Sequence, residues 1–568
     1  MSPAPANPPA SAADLAGLVT GTGVVPGIAY APAAWKTARP EVVPSTDTVS
    51  EEARPAEAEQ LTAAADIVAD RLDARSRLAT GVASEVLAAT ATLARDRGWR
   101  RAAGKAVAGG STATDATVAV IASFVAKFEK LGGLMAERTT DLKDIRDRVV
   151  AELLGLPEPG VPTPDYPVVL FADDLAPADT AGLDPAVITG LVTSLGGPTS
   201  HTSIIARQLG IPCIVAAEGI EAIAAGTPVL VDGSAGTIRT DTPEQEAAAL
   251  VEEDGRRREA IRAWRGPART RDGHAVELLA NVQDGAGART ASGSQAQGVG
   301  LFRTELCFLD AETEPSVDEQ RGIYAEVLNA FAGRKVVIRT LDAGSDKPLS
   351  YANLPDEENP ALGVRGIRVA SRDEGILTRQ LDAIAAASAG RDGKTWVMAP
   401  MVATIPEAAH FAAACRDRGI IPGIMVEVPA VALLAERFLA HVDFLSIGTN
   451  DLTQYTMAAD RMSPHLASLT DPWQPAVLHL IAATARAGQA VGKPVGVCGE
   501  AAAGPLLACV LIGLGVTSLS MAPSAIASVG LQLGDVDREQ CRRAAEEALA
   551  ASDANGARQR ASAVLAGS

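Results

Sequence analysis

Eight short apolar segments, most of them followed by a helical stretch, succeed one another after Pro267: 276–281, 298–302, 335–340, 395–400, 424–428, 442–447, 494–498 and 517–521. Alternation at this spacing over about 300 residues leaves few foldable solutions, because parallel strands joined by helical crossovers must be covered on both faces. The count of eight fits a closed (β/α)8 barrel, with an open, doubly wound sheet as the competing arrangement. A barrel draws its reactive groups from the loops at the C-terminal ends of its strands. Here those ends carry dense chemistry. The second segment runs into Arg303-Thr304-Glu305 and the third into Arg339-Thr340-Leu341-Asp342. The fifth carries Glu427, the sixth leads into Gly448-Thr449-Asn450-Asp451 with Arg461 beyond, and the seventh ends at Cys498-Gly499-Glu500.

Guanidinium groups match phosphate and carboxylate bidentately, so Arg303, Arg339 and Arg461 converging on one rim describe an anionic substrate. Glu427 and Asp451 offer the hard oxygen ligands that Mg²⁺ takes, the remaining positions going to substrate and water. Any one of these residues taken singly also fits a salt bridge closing the rim; complementary chemistry at five strand ends favours a site. Cys498 has two readings. Its apolar flank Val495-Gly496-Val497 suits a small core residue, and its place at a strand end beside cations suits a general acid.

A second centre lies upstream. The β-leaning stretch 187–195 runs into Gly196-Gly197-Pro198-Thr199-Ser200-His201-Thr202-Ser203 and then a helical pattern to Gly210. Thr199 and Ser200 are natural caps. His201 thus falls in a first helical turn, where unpaired N–H groups and the positive dipole end favour an anion, including a phosphate carried on the imidazole. A capping histidine without chemistry is the competing reading; the glycine turn and the cluster of hydroxyls favour a phosphoryl carrier.

A chain of 568 residues is too long for one core. Residues 1–17 read as a disordered Pro/Ala/Ser-rich tail with no signal-peptide pattern. Strand character at 18–47 and again at 157–241 predicts an α/β domain, into which a helical subdomain, 48–156, is inserted. Its helices are expected at 51–78, 82–96, 113–130 and 139–154, where apolar residues recur at three- and four-residue spacing. Thr242-Pro243-Glu244-Gln245 resembles a capped helix start, so 242–266 reads as a linker helix ahead of the barrel, 267–568. The net charge of −19 disfavours nucleic acid and anionic membranes and favours a basic protein partner. No apolar run is long enough to span a bilayer, and six scattered cysteines without a CxxC imply reduced thiols in a cytoplasmic protein.

The runs 196–207, 298–305, 339–347, 358–365 and 443–455, continued to Arg461, resemble the signature motifs of phosphoenolpyruvate-utilising enzymes. Domain order and length are similar to the enzyme I family of the bacterial phosphotransferase system. The resemblance implies that His201 is phosphorylated from phosphoenolpyruvate and passes the group to the phosphocarrier protein HPr, releasing pyruvate. It implies that Arg303, Arg339, Arg461 and Asn450 hold the substrate, and that Arg365 lies near it. Glu427 and Asp451 would bind Mg²⁺, Asp451 lying against the substrate as well, and Cys498 would protonate the enolate. The phosphocarrier is expected to dock on the helical subdomain, and the barrel to form a homodimer. One departure stands out: where the family has a histidine, this chain reads Ala89-Thr90-Ala91-Thr92-Leu93. Pyruvate phosphate dikinase and phosphoenolpyruvate synthase share the histidine domain and barrel but need a nucleotide-binding domain, and no GxxxxGK[ST] loop occurs. A catalytically silent regulator would tolerate loss of an arginine, a Mg²⁺ ligand or His201, and all are present.

Overall fold

The structure is a computed structural model describing residues 17–37, 40, 48–78, 82–131, 139–162, 164–175, 179, 183–197, 200–308, 311–344, 349, 351, 357–371, 373–391, 395–461, 463 and 466–567. The expected N-terminal tail falls almost wholly outside this set, and Pro198, Thr199 and Lys347 lie outside it. The chain divides into two compact units, Met1–Arg257 and Arg258–Ser568.

The first unit is built on a mixed sheet. Its strands are β1 (Leu18–Thr20), β2 (Thr22–Val25), β3 (Ile28–Trp35), β4 (Val168–Ala172), β5 (Ile188–Thr193), β6 (Cys213–Val215), β7 (Pro228–Asp232) and β8 (Thr237–Arg239), in the order β1-β8-β7-β3-β4-β5-β6-β2. The run β3-β4-β5-β6 is parallel, whereas β7, β8, β1 and β2 pair antiparallel. In β3 the small residues Ala29, Ala31 and Ala33 face the core, and all of β4 is buried, as suits a central strand covered on both faces.

Between β3 and β4 comes a helical subdomain with its own core: α1 (Arg54–Leu78), α2 (Val82–Ala94), α3 (Arg97–Ala108), α4 (Ala113–Leu131) and α5 (Thr139–Leu154). Helix α3 is absent from the expected set. Asp96 caps it, accepting from Gly98 N at 2.8 Å and Trp99 N at 3.3 Å, and its face Trp99-Ala103-Val107 is buried. Helix α6 (His201–Leu209) follows β5, and α7 (Glu244–Ala263) leads to the division between the units. Thr242 is not the expected cap of α7. Its hydroxyl is buried without a hydrogen-bond partner, and the first helical bond runs from Ala247 N to the Pro243 carbonyl.

The second unit is the barrel. Strands β9 (Glu277–Val282), β10 (Gly298–Arg303), β11 (Lys335–Arg339), β12 (Thr395–Ala399), β13 (Ile421–Val426), β14 (Phe444–Ile447), β15 (Val495–Val497) and β16 (Ser518–Met521) are all parallel, and β16 closes on β9. The open-sheet alternative is thereby excluded. The fifth strand ends at Val426, so Glu427 opens the following loop instead of lying inside the strand. Helices α8 (Gly285–Ser292), α9 (Val317–Ala330), α10 (Glu374–Ser388), α11 (Ile405–Arg416), α12 (Pro429–Leu433), α13 (Ala435–Leu439) and α14 (Thr449–Met457) lie between strands, and α15 (Pro475–Val491) and α16 (Pro505–Gly513) follow. The chain ends in α17 (Ile526–Gly534), α18 (Arg538–Leu549) and α19 (Ala554–Ala566).

Inside the strands Leu301, Val337, Met398, Met425, Phe444 and Cys498 form a buried layer, separate from the large core between strands and helices. This layer floors the C-terminal mouth. Among the described residues no helix is long and apolar enough to cross a membrane, and all six cysteines are free thiols.

Candidate active site

His201 occupies the first position of α6. The turn before it is tied by hydroxyls: Ser200 accepts from Ser203 N at 3.3 Å and donates to Ser203 Oγ at 3.0 Å, while Ser203 donates to the Gly197 carbonyl at 2.7 Å. Buried Thr202 donates to Asp174 Oδ1 at 3.3 Å. Ser200 is therefore the expected cap, and Gly210 ends the helix in the left-handed conformation. The His201 side chain itself lies outside the described set.

At the barrel mouth register brings the arginine strands together, because Arg303 and Arg339 are opposed on β10 and β11. Arg339 is buried. It bonds Glu305 at 2.5 Å and pairs with Asp342 at 2.9 Å, and its Nε has no partner. Asp342 is shared: Arg365 grips its two oxygens at 3.0 Å each and reaches Asp451 at 3.1 and 3.3 Å. Arg461, partly exposed, stands 4.0 Å from Asp451. The Arg303 side chain makes no hydrogen bond or ion pair with a described residue. Burial pulls the Arg365 guanidinium towards neutrality, but Asp342 and Asp451 outweigh it and leave the group firmly charged.

Glu427 is fully buried and accepts from Met401 N at 2.8 Å. Met401 holds φ at 59°, a left-handed backbone that a side chain of this size adopts only under constraint. Burial, and then the nearby carboxylates Asp342 and Asp451, push the Glu427 carboxyl up to about 8. Gly448 is required here because a Cβ would lie 2.8 Å from the Glu427 Cγ. Asp451 and Asn450 sit in the first turn of α14, and Asn450 Oδ1 accepts from Glu500 N at 3.0 Å. That bond joins the sixth and seventh strand ends.

Cys498 is buried, with its thiol 3.6 Å from the Ile447 carbonyl. Burial pushes it up to about 11, against the Ser446 hydroxyl, and Glu427, Arg339 and Arg303 all lie close enough to act on it electrostatically. At neutral pH the thiol is protonated, as an acid must be.

The barrel residues singled out from the sequence form one constellation: Arg339, Arg365 and Asp451 are joined through Asp342, Glu427 lies within electrostatic reach of Arg339 and Asp451, and Arg461 stands beside Asp451. Sequence reasoning assigned no role to Glu305 and Asp342, the counter-charges of Arg339, although both stand in the quoted strand-end runs. Four arginines (303, 339, 365, 461) face four carboxylates (Glu305, Asp342, Glu427, Asp451). The crowding by which Asp342 and Asp451 raise the proton affinity of Glu427 suits a divalent cation. Among the described residues no three His, Cys, Asp or Glu side chains are arranged to hold a metal alone, so Glu427 and Asp451 would leave most positions to other oxygens.

In sequence, residues 257–538 match the family model of the PEP-utilising enzyme PEP-binding domain, 164–236 that of the mobile domain and 20–138 that of the N-terminal domain. The chain is 48% identical over 528 residues to a Streptomyces coelicolor protein named phosphoenolpyruvate-protein phosphotransferase, covering 92% of this chain and 94% of that one. A Haloferax volcanii protein of the same name is 42% identical, covering 78% of this chain and 81% of its own length. One from Staphylococcus carnosus is 38% identical, covering 77% and 79%.

Proposed function

Because the chain belongs to the phosphoenolpyruvate-protein phosphotransferase family of PEP-utilising enzymes, we propose that it moves the phosphoryl group of phosphoenolpyruvate to its own His201 and then to the phosphocarrier HPr, releasing pyruvate. The observation that carries the site assignment is the buried array of arginines and carboxylates at the barrel mouth, with a protonated thiol beside it.

In this reading Arg303, Arg339 and Arg461, with Asn450, bind the phosphate and carboxylate of the substrate, Asp451 lies against it, and Arg365 holds Asp451 in place. Glu427 and Asp451 hold Mg²⁺, which when bound neutralises charge on the phosphoryl and enolate oxygens. His201 attacks phosphorus as neutral imidazole, abundant near neutral pH from histidine's ordinary value of about 6.5. The N–P bond forms as the bond from phosphorus to the enolate oxygen breaks, and the mouth arginines stabilise the charge left on that oxygen. Cys498 then gives its proton to the enolate carbon.

The α/β domain (18–47 and 157–241) is the proposed phosphohistidine carrier, and 48–156 the docking surface for HPr, altered where the family histidine is replaced near Thr90–Thr92. Residues 242–266 link it to the barrel, 267–568, the proposed dimerisation domain. Six free thiols favour a cytoplasmic location. Incubation with ³²P-phosphoenolpyruvate and Mg²⁺ should label the chain on histidine, and purified HPr should discharge it. Labelling from ATP in place of phosphoenolpyruvate would overturn the reading.

A further inference from the structure

Strand β15 is three residues long, and Cys498 is the first residue beyond its ladder. On one side Cys498 stays attached to β14, its N–H donating to the Ile447 carbonyl at 3.0 Å. Its carbonyl accepts from a side chain. The Asn281 side chain on β9 reaches past β16 and donates from Nδ2 to the Cys498 carbonyl at 3.3 Å.

The Cys498 carbonyl, which can only accept, fixes which end of that amide faces it, and Ser520 holds the other end. Ser520, on β16, donates its hydroxyl to Asn281 Oδ1 at 2.5 Å. Turning the amide over would set two oxygens against each other at Cys498. Space for the Ser520 hydroxyl comes from Gly300 on β10, where a Cβ would lie 2.4 Å from Ser520 Oγ. Three strands thus cooperate to hold one carbonyl. The thiol itself has only a long bond to the Ile447 carbonyl, at 3.6 Å, and the Ser446 hydroxyl beside it, above the apolar layer of Leu301, Val337, Met398, Met425 and Phe444. The hold on its backbone adds to these side-chain restraints.

We propose that Asn281, oriented by Ser520, is a positioning residue for Cys498: by holding the Cys498 carbonyl it fixes the direction from which the thiol presents its proton to the enolate carbon. The inference rests on the reading of Cys498 as the acid. In that step the S–H bond breaks and a C–H bond forms from the carbon–carbon double-bond pair. The enolate oxygen becomes the ketone oxygen of pyruvate, and the thiolate recovers a proton from water.

The test compares Asn281→Ala, Asn281→Asp and Ser520→Ala with Cys498→Ala. Each full-length variant is given (Z)-[3-²H]phosphoenolpyruvate in tritiated water with Mg²⁺. Three quantities are read: the single-turnover rate of His201 phosphorylation, the rate of pyruvate formation, and the handedness of the new methyl group. Both Asn281 variants should lower the ratio of pyruvate formation to phosphorylation by about tenfold or more, since small misplacements of a reacting group cost rate steeply. Both should also lose facial selectivity. Asn281→Asp keeps the shape but has no donor, so it should fail as Asn281→Ala does, and Ser520→Ala should lie between them and the unaltered protein. Unchanged ratio and selectivity in both Asn281 variants would overturn the proposal, as would an equal fall in both rates with selectivity kept. If Cys498→Ala itself retains selectivity, the acid assignment falls and the positioning role with it. If Cys498→Ala loses selectivity and the Asn281 variants keep it, only the positioning role falls.

Discussion

Arg365→Met keeps much of a long side chain and deletes one buried charge. That charge holds Asp342 through two bonds of 3.0 Å and Asp451 through bonds of 3.1 and 3.3 Å. Asp342 would retain Arg339 at 2.9 Å, whereas Asp451 would retain only Arg461, 4.0 Å away and partly exposed. Removing one partner of a buried pair costs about 3–5 kcal/mol, because the stranded carboxylate has lost both its water and its counter-charge. The unit concerned runs from Arg258 to Ser568. At roughly 2 cal/mol/K of unfolding entropy per residue, that cost corresponds to a fall in its Tm of roughly 5–8 °C. Scanning calorimetry of the full chain reads this directly. Adding Asp451→Asn to Arg365→Met should recover part of the loss. A fall in Tm below about 1 °C, or no recovery in the double variant, would refute the electrostatic account.

Three further outcomes are expected. His201→Ala should abolish acid-labile label from phosphoenolpyruvate with the fold intact; label on His274, His410, His441, His465 or His479 would contradict the assignment. Asp451→Asn should cost about 10²-fold or more in turnover, partly restored by excess Mg²⁺, and unaltered enzyme indifferent to chelator would exclude the metal. Cys498→Ala or Cys498→Ser should slow pyruvate formation by roughly 10²–10⁴-fold with little change in substrate binding. Because the thiol is pushed up to about 11, its acid form persists through the neutral range and is lost only as pH rises through that value, so the Cys498-dependent step should be flat between about pH 7 and about pH 9. Near-normal turnover with a lowered Tm would make Cys498 a core residue.

The barrel was legible because strands buried on both faces are written as continuous apolar runs, and each of the eight expected segments overlaps an observed strand. Helix α3 was not, since Gly98 and Gly104 lower its intrinsic helicity and its stability comes from Trp99 in the shared core, which only tertiary packing reveals. Thr242 shows the opposite failure: a good local cap signal lost to burial of the hydroxyl. Charged site residues could be read from strand ends. Their partners could not, because the pairing of Arg339 with Glu305 or the reach of Asn281 to Cys498 spans sequence separations that no local pattern encodes. Met401 is similar: its role is played by a backbone N–H in a left-handed conformation, and the residue name carries no trace of it.

The pairing of Arg339, Arg365 and Arg461 with carboxylates of the same rim has a consequence for selectivity. Those arginines carry built-in counterions, so an incoming anion enters by exchange, displacing one oxygen from nitrogen to occupy its place. Affinity is then a difference between two similar interactions. An ion able to engage only one of these paired arginines gains almost nothing over the carboxylate it replaces. A molecule with two anionic ends, arriving with a cation that satisfies the displaced carboxylates, gains at every position at once. Abundant chloride or inorganic phosphate should therefore compete poorly with such a molecule, whatever their concentration advantage.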